Sequence, residues 1–151
     1  MPKPITLSKF IKHRNGVALG ASGSMRNMLT RSFGAGSFDR FWQYWNPIWG
    51  YYLSTKVMKP LLKIFPLWLS IILTFAVSGA LHDLAITLVK FKPIVFFTPW
   101  FTLMGLMVVI SKKFTLTYQQ RPFAIRVLIN LTTIIICYIL TDQASYQLLA
   151  N

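Results

Sequence analysis

The sequence predicts an all-α integral membrane protein with about three transmembrane helices and additional amphipathic or re-entrant aromatic helices. Its composition is the first observation, because 54% of the 151 residues are hydrophobic and only 13% are charged, as is typical of membrane proteins. Second, the chain contains apolar runs about as long as the roughly 20 residues that a helix needs to cross a bilayer. Third, aromatic residues reach 15% and concentrate before these runs, where rings anchor proteins at the membrane boundary.

Residues 1–37 are basic and glycine-rich, as in GVALGASGS and SFGAGS. No GxxxxGK[ST] or GxGxxG string occurs there, so we assign no phosphate-binding loop. We expect a flexible or interfacial cytosolic segment, with a short basic surface helix over residues 7–14. We also expect no cleaved signal peptide, because residues 1–12 lack an apolar core followed by a small-residue cleavage site.

The remaining residues, 38–151, form the predicted membrane domain, and its first part, residues 38–63, mixes aromatic and polar side chains. This part is too polar for a lipid-facing span and too aromatic for a solvent loop, whereas indole and phenol rings favour the membrane–water boundary. Pro47 disfavours helical geometry at the residue before it. We therefore predict two interfacial or re-entrant helical pieces, roughly 38–45 and 47–58.

Three apolar segments follow and predict membrane spans: residues 64–89, 93–111 and 122–140. The first carries His82 and Asp83, and such groups usually face a bundle interior or a watery cavity because they are costly in hydrocarbon. In a helix, its polar residues recur every four positions and form one stripe: Ser70, Thr74, Ser78 and His82. Asn130, in the third segment, is expected to face another helix.

The formal net charge is +13, from 16 basic and 3 acidic residues. The basic residues lie mostly before and between the apolar runs, which fits anionic lipid headgroups better than nucleic acid. We therefore expect membrane lipids as partners and no nucleic acid, in a multi-pass protein whose N-terminus is cytosolic. No metal site is expected, because His13 and His82 lie in different environments and the carboxylates are scattered.

Asn46 lies in the aromatic stretch and His82 in the first predicted span. The strings around them, FDRFWQYWNPIWGYY and TFAVSGALHDLA, resemble the membrane-bound O-acyltransferase family, including its diacylglycerol acyltransferase and wax-synthase-like branches. Members of that family carry a tryptophan-rich segment with a Trp-Asn or Trp-His pair, followed by a small-residue helix with a histidine. The resemblance covers about residues 32–113 and implies a short or truncated member of the family.

The resemblance implies that His82 is the catalytic base, which takes a proton from an acceptor hydroxyl as that hydroxyl attacks an acyl thioester. A neutral imidazole is a suitable base near neutral pH. Asn46 would orient the thioester or polarise its carbonyl, and Ser78 would hydrogen-bond the imidazole or the acceptor. The other substrate-binding residues implied are Trp42, Gln43 and Trp45. Acyl-CoA or another acyl thioester would be the co-substrate, and no cofactor would be permanently bound.

Asp83 points about 100° away from His82 on a helix, so we expect it to pair with an arginine or lysine instead. Family members are much longer than this chain, which leaves a minimal enzyme, an inactive remnant, or a tunnel completed by a homo-oligomer or another membrane subunit. Two other functions stay open. In one, a non-catalytic small membrane subunit uses His82 and Asp83 to join helices of a larger complex, and in the other the protein belongs to a proton or ion pathway.

Overall fold

The structure is a computed structural model that describes residues 5–150, with side chains described to residue 145. Within this range the secondary structure is entirely helical, which agrees with the predicted all-α class. The elements in chain order are α1 (Leu7–Asn15), α2 (Ser24–Phe33), α3 (Phe38–Tyr44), α4 (Pro47–Tyr52), a π-helical segment (Leu53–Met58), α5 (Lys59–Leu61), α6 (Leu67–Lys90), α7 (Phe97–Lys113) and α8 (Phe123–Ala150).

Two described helices, α6 and α8, are long and apolar enough to cross a membrane. They correspond to the first and third predicted spans, although α6 begins at Leu67 because Pro66 precedes it in extended geometry. The second predicted span forms the shorter helix α7, whose 17 residues measure about 26 Å at a rise of 1.5 Å per residue. A hydrocarbon core is about 30 Å thick. The structure therefore provides two candidate spans rather than three.

Helices α6 and α7 form an antiparallel hairpin whose close approach depends on glycine. A Cβ atom added at Gly79 would lie 2.7 Å from the Cα of Thr98, and one added at Gly105 would lie 2.8 Å from the Cβ of Phe75. Both distances are too short for real carbon contacts, so these positions require glycine. Such small residues allow the backbones of membrane helices to pack closely.

Asp83 caps the first turn of α7 from the side of α6. Its carboxylate accepts hydrogen bonds from the backbone N–H groups of Phe96, Phe97 and Thr98 at 2.8–2.9 Å, and from the Thr98 hydroxyl at 2.6 Å. A negative charge is stabilised at a helix N-terminus, where N–H groups are unpaired. The expected pairing of Asp83 with an arginine or lysine is therefore wrong, because the carboxylate holds two helices together instead.

The N-terminal region is folded rather than flexible over its described residues. The buried Asn15 donates from Nδ2 to the carbonyl and hydroxyl oxygens of Ser24, at 3.0 and 2.8 Å. Arg31 donates to the carbonyl oxygen of Arg14 at 2.8 Å. These bonds tie α1 to α2 and oppose the flexible alternative for residues 5–37, while an interfacial location stays a prediction.

Asn130 connects this N-terminal layer to α8. Its fully buried side chain donates to the carbonyl oxygens of Phe33 and Ala35 at 2.9 and 3.0 Å. Its Oδ1 accepts a hydrogen bond from the Tyr118 hydroxyl. Because buried amides require partners, this network fixes the α2–α3 turn against α8, and it confirms the expectation that Asn130 faces another helix.

The hydrophobic core lies between α3 and the α6–α7 hairpin. Its larger buried apolar side chains include Phe38, Phe41, Ile71, Met104 and Val108. Phe41 stacks on Trp45 with ring centroids 5.7 Å apart. The aromatic stretch therefore packs against the apolar hairpin, and this contact positions the cavity described below.

Candidate active site

A cavity of about 400 Å³ lies between the aromatic helices and α6. Its wall includes all six site residues predicted from the sequence: Trp42, Gln43, Trp45, Asn46, Ser78 and His82. The first four lie far along the chain from Ser78 and His82, and tertiary packing brings the two groups together, since α3 packs on α7 and the π-helical segment that follows α4 packs on α6. The structure thus establishes that they share one cavity, while their chemical roles stay predictions.

One face of α6 forms a long side of this cavity. The lining residues of α6 follow the helical repeat, at intervals of three or four apart from one adjacent pair: Leu67, Ile71, Thr74, Phe75, Ser78 and His82. From the first to the last, this face extends about 22 Å at 1.5 Å per residue. Thr74 donates its hydroxyl hydrogen to the Ser70 carbonyl at 2.7 Å, as helical threonines commonly do. Part of the hydrogen-bonding capacity of the predicted polar stripe is therefore used within α6 itself.

His82 is half-buried in the cavity wall and has a fixed ring orientation. Its Nδ1 lies 2.7 Å from the carbonyl oxygen of Ser78, one turn earlier on α6. Because a carbonyl only accepts, this bond assigns the hydrogen of a neutral imidazole to Nδ1 and the lone pair to Nε2. The ring packs against Phe101 and Phe97, with centroids 4.9 and 5.8 Å away.

Trp49 also contributes to the site. The sequence alone predicts it only as one of the aromatic residues at the membrane–water boundary. Its indole Nε1 donates to the Ser78 hydroxyl at 3.0 Å, and its ring lies edge-on to His82 with centroids 6.3 Å apart. Ser78 therefore orients the imidazole through its carbonyl, whereas its hydroxyl serves Trp49. The only sequence signal for Trp49 is its position three residues after Asn46.

Asn46 begins α4 in a left-handed conformation, with φ of 40°. Its Oδ1 accepts a hydrogen bond from the backbone N–H of Trp49 at 3.2 Å, and Pro47 occupies the first helical position. This arrangement is a favourable N-cap. It agrees with the predicted break before Pro47 and orients α4 so that Trp49 reaches α6. Oδ1 of Asn46 already accepts the capping hydrogen bond, whereas Nδ2 is available to donate a hydrogen bond to a ligand.

Four side chains, Arg14, Asp39, Gln43 and Lys112, form what we call the polar end of the cavity. Gln43 accepts a hydrogen bond from Arg14 Nη1 and donates to Asp39 Oδ2 at 3.3 Å. Asp39 also forms an ion pair with Lys112 at 3.8 Å. Sequence reasoning identified only Gln43 here, because the other three come from separate helices and no local pattern relates them.

Two buried donors in the cavity wall have no hydrogen-bond partner among the described residues. They are the indole Nε1 of Trp42 and the Nε of Arg14. Buried N–H groups are nearly always paired in folded proteins, and leaving one unpaired costs about 1–3 kcal/mol. Both nitrogens are enclosed by neighbouring side chains, so an acceptor oxygen of a ligand in the cavity reaches them only after a side-chain shift.

Comparisons of the chain with protein-family models, curated proteins and solved structures found no match. The resemblance to membrane-bound O-acyltransferases therefore stays a prediction from the residues alone. What supports a function is the cavity, with its oriented imidazole.

Proposed function

We propose that the protein transfers an acyl group from a thioester donor to a hydroxyl acceptor, as a short relative of the membrane-bound O-acyltransferases. The observation that carries this proposal is the hydrogen bond from His82 Nδ1 to the Ser78 carbonyl within the cavity wall. This bond fixes the tautomer in which Nε2 has the lone pair. A general base needs such an atom within reach of the proton it removes.

In the proposed step, Nε2 of His82 removes the proton of the acceptor hydroxyl while the hydroxyl oxygen attacks the thioester carbonyl carbon. The C–S bond of the resulting intermediate then breaks, and the leaving thiolate takes the proton from the imidazolium. Negative charge develops on the former carbonyl oxygen, so donors aimed at that oxygen accelerate the reaction. The donor in the cavity wall that is available for this role is Asn46 Nδ2.

The contacts of His82 favour the enzyme over the non-catalytic subunit. A histidine that joined helices would bond to a second helix, as Asp83 does with the start of α7. His82 instead bonds to its own helix and lines an open cavity. The two neighbouring ionisable residues therefore differ: Asp83 joins helices by hydrogen bonds, whereas the contacts of His82 with other helices are ring packing.

The proposed location is a membrane, with α6 and α8 as spans and α7 packed beside them as a shorter third one. Apolar side chains on the outer faces of α6 and α8 are more than half exposed, among them Leu84 (53%), Leu88 (64%), Leu128 (60%) and Ile135 (53%). Exposed apolar surface of this kind is stable against lipid. We propose the cytosolic N-terminus from the basic loops, and a homo-oligomer or second subunit as the protein partner.

The test is acyl transfer by the purified full chain in lipid nanodiscs. Release of free thiol from long-chain acyl-CoA would be measured with total membrane lipid as acceptor, for the wild type, His82→Gln and His13→Gln. His13 is exposed on α1 and serves as the matched control. We expect His82→Gln to be slower by about 10²–10⁴-fold, the usual contribution of a general base, and His13→Gln to retain wild-type activity. Equal rates for all three proteins would overturn the proposal.

A further inference from the structure

The guanidinium of Arg14 is held in place at the polar end of the cavity. Its Nη1 donates to Gln43 Oε1, and its carbon lies 5.3 Å from the ring centroid of Phe10, within cation–π range. The carbonyl oxygen of Arg14 is in turn fixed by Arg31. A cation positioned by two side-chain contacts, on a backbone that is itself fixed, loses little conformational freedom when it binds a ligand.

The positive charge of Arg14 has no anionic partner among the described residues. The carboxylate at the polar end, Asp39, is already paired with Lys112 at 3.8 Å and accepts hydrogen bonds from Ser37 at 2.6 Å and from Gln43. Arg14 therefore has only a neutral oxygen as acceptor, and burial lowers the pKa of its guanidinium. A partly buried charge without a counter-charge is unfavourable, so an anion at this position would be stabilised.

Beyond the polar end, most of the side chains that line the cavity are apolar or aromatic. Its lining there includes Leu53, Met58, Leu67, Ile71, Phe75 and Val108. Hydrocarbon buried against these side chains gains about 25 cal/mol for each Å² removed from water. A small soluble anion would leave this surface unfilled, whereas an anion attached to a hydrocarbon chain would use both ends of the cavity.

The helix α7 gives the distance between the polar end and His82. Lys112 contributes to the polar end, and Phe101 packs on His82 with centroids 4.9 Å apart. These two residues are eleven positions apart on one helix, or about 16 Å at 1.5 Å per residue. An anionic group at the polar end is therefore too far from His82 to react there and can act only as an anchor.

From these contacts we infer that the polar end binds the phosphate group of an amphiphilic ligand, with Arg14 as the anchoring residue. A phosphate supplies the negative charge that the Arg14 guanidinium lacks, and arginine matches the geometry and charge of a phosphate. The inference deepens the proposed function, because it makes one substrate of the same cavity a phosphate-bearing amphiphile. Two sources have this chemistry, the headgroup of an anionic phospholipid and the phosphorylated carrier of an acyl thioester.

The test measures binding to the purified full chain in neutral detergent through the fluorescence of its tryptophans, three of which line the cavity. The probes are phosphatidic acid, palmitoyl-CoA and the uncharged lipid diacylglycerol. Arg14→Gln removes the charge but keeps a polar side chain, and Arg14→Lys keeps the charge. Arg40→Gln is the matched control, because Arg40 is exposed on the same α3 as Asp39 and lies outside the cavity wall.

We expect Arg14→Gln to weaken binding of at least one phosphate-bearing probe by about 10–100-fold, the range for a lost hydrogen bond to a charged group. Arg14→Lys should recover part of this loss, and Arg40→Gln should bind as the wild type does. A selective loss for phosphatidic acid identifies the phospholipid, and one for palmitoyl-CoA identifies the thioester. Unchanged binding in Arg14→Gln, or equal losses in Arg14→Gln and Arg40→Gln, would overturn the inference.

Failure of the inference and failure of the proposed function give different results. Binding of the phosphate-bearing probe depends on Arg14 and not on the imidazole, so His82→Gln should bind this probe with wild-type affinity. If the wild type binds it through Arg14 but releases no thiol, only the proposed acyl transfer is wrong. If thiol release depends on His82 but binding is independent of Arg14, only the anchor is wrong.

Discussion

The hydroxyl of Ser78 accepts a hydrogen bond from the indole of Trp49 at 3.0 Å, across the space between α4 and α6. The same serine holds His82 through its backbone carbonyl at 2.7 Å. One residue therefore links the aromatic helix to the orientation of the proposed base. Because α4 begins at the Asn46 cap, the position of the imidazole depends on how the aromatic stretch folds.

Replacement of Trp49 by phenylalanine should lower turnover by about fivefold, because loss of one neutral hydrogen bond corresponds to about 1 kcal/mol. Ser78→Ala should have a similar effect, and the double variant should be no slower than either single one, since both remove the same bond. Steady-state rates for the four proteins measure this coupling. Trp68→Phe is the control, because Trp68 is 53% exposed on α6 and outside the cavity. Additive losses would show that Trp49 and Ser78 act independently.

Asn46 has two separable roles, which two substitutions distinguish. Asn46→Ala should lose the cap of α4 and reduce the free energy of unfolding by about 1 kcal/mol, together with turnover. Asn46→Asp keeps an acceptor for Trp49 N–H and tolerates the left-handed backbone, but it lacks the amide donor. We expect Asn46→Asp to be nearly as stable as the wild type and about 10²–10³-fold slower, as for loss of an oxyanion donor. Wild-type turnover in Asn46→Asp would show that Asn46 acts only as the N-cap of α4 and not as a donor in the reaction.

Asp83→Ala should destabilise the protein more than it affects the chemistry. The carboxylate is buried and satisfies three backbone N–H groups at the start of α7. Leaving them without this partner should reduce the free energy of unfolding by about 2 kcal/mol or more. Thermal unfolding in detergent measures the effect, with Asp142→Ala, an exposed position on α8, as the control. A stable but inactive Asp83→Ala would instead place Asp83 in the reaction.

Gly79 and Gly50 form a matched pair for helix packing. A Cβ at Gly79 would meet the backbone of Phe97 and Thr98, whereas one at Gly50 meets no atom within 4 Å. Gly79→Ala should therefore lower the unfolding midpoint, since the α6–α7 hairpin must open. Gly50→Ala should leave it unchanged or raise it, because alanine is favoured over glycine in helices by about 0.5–1 kcal/mol. Equal midpoints for both variants would contradict the close packing of α6 on α7.

The raised pKa of Tyr118 predicts that the protein loses stability at alkaline pH. Burial and the neighbouring Asp39 carboxylate raise the pKa of Tyr118 to about 12 from 10.0. The unfolded chain loses this proton near pH 10, while the folded chain keeps it, so stability is unaffected below about pH 10 and falls as the pH rises towards 12. Thermal unfolding across this range should show a shallower decline for Tyr118→Phe than for the wild type. Parallel declines would show that Tyr118 does not titrate differently on folding.

Local sequence signals predicted the features that depend on short-range physics. The apolar length of α6 and the break at Asn46 before Pro47 follow from hydrophobic length and backbone restrictions, whereas the grouping of the tryptophan-rich segment with the His82 helix was implied only by the resemblance to membrane-bound O-acyltransferases. The N-terminal layer and the length of α7 were not predictable in this way. The α1–α2 pairing depends on Asn15 and Arg31 reaching distant backbone atoms, and α7 starts at Phe97 because Asp83 caps it there.

Three residues of the polar end could not be predicted from the sequence for the same reason, because they meet only in the folded protein. Arg14, Asp39 and Lys112 belong to three helices and meet only through tertiary packing. Each is an ordinary surface charge by its local sequence, since basic residues are frequent before and between the apolar runs. The position of Arg14 becomes distinctive only when its burial and its unpaired Nε are known.

The most direct test of the account is a structure of the protein in lipid with a non-reactive acyl-thioester analogue and an alcohol acceptor bound. We predict that the acceptor oxygen lies within about 3.2 Å of His82 Nε2, the reach of a general base, while Nδ1 keeps its bond to the Ser78 carbonyl. A complex in which the analogue binds outside the cavity, or in which Nε2 faces away from the acceptor, would show that His82 is not the base for acyl transfer.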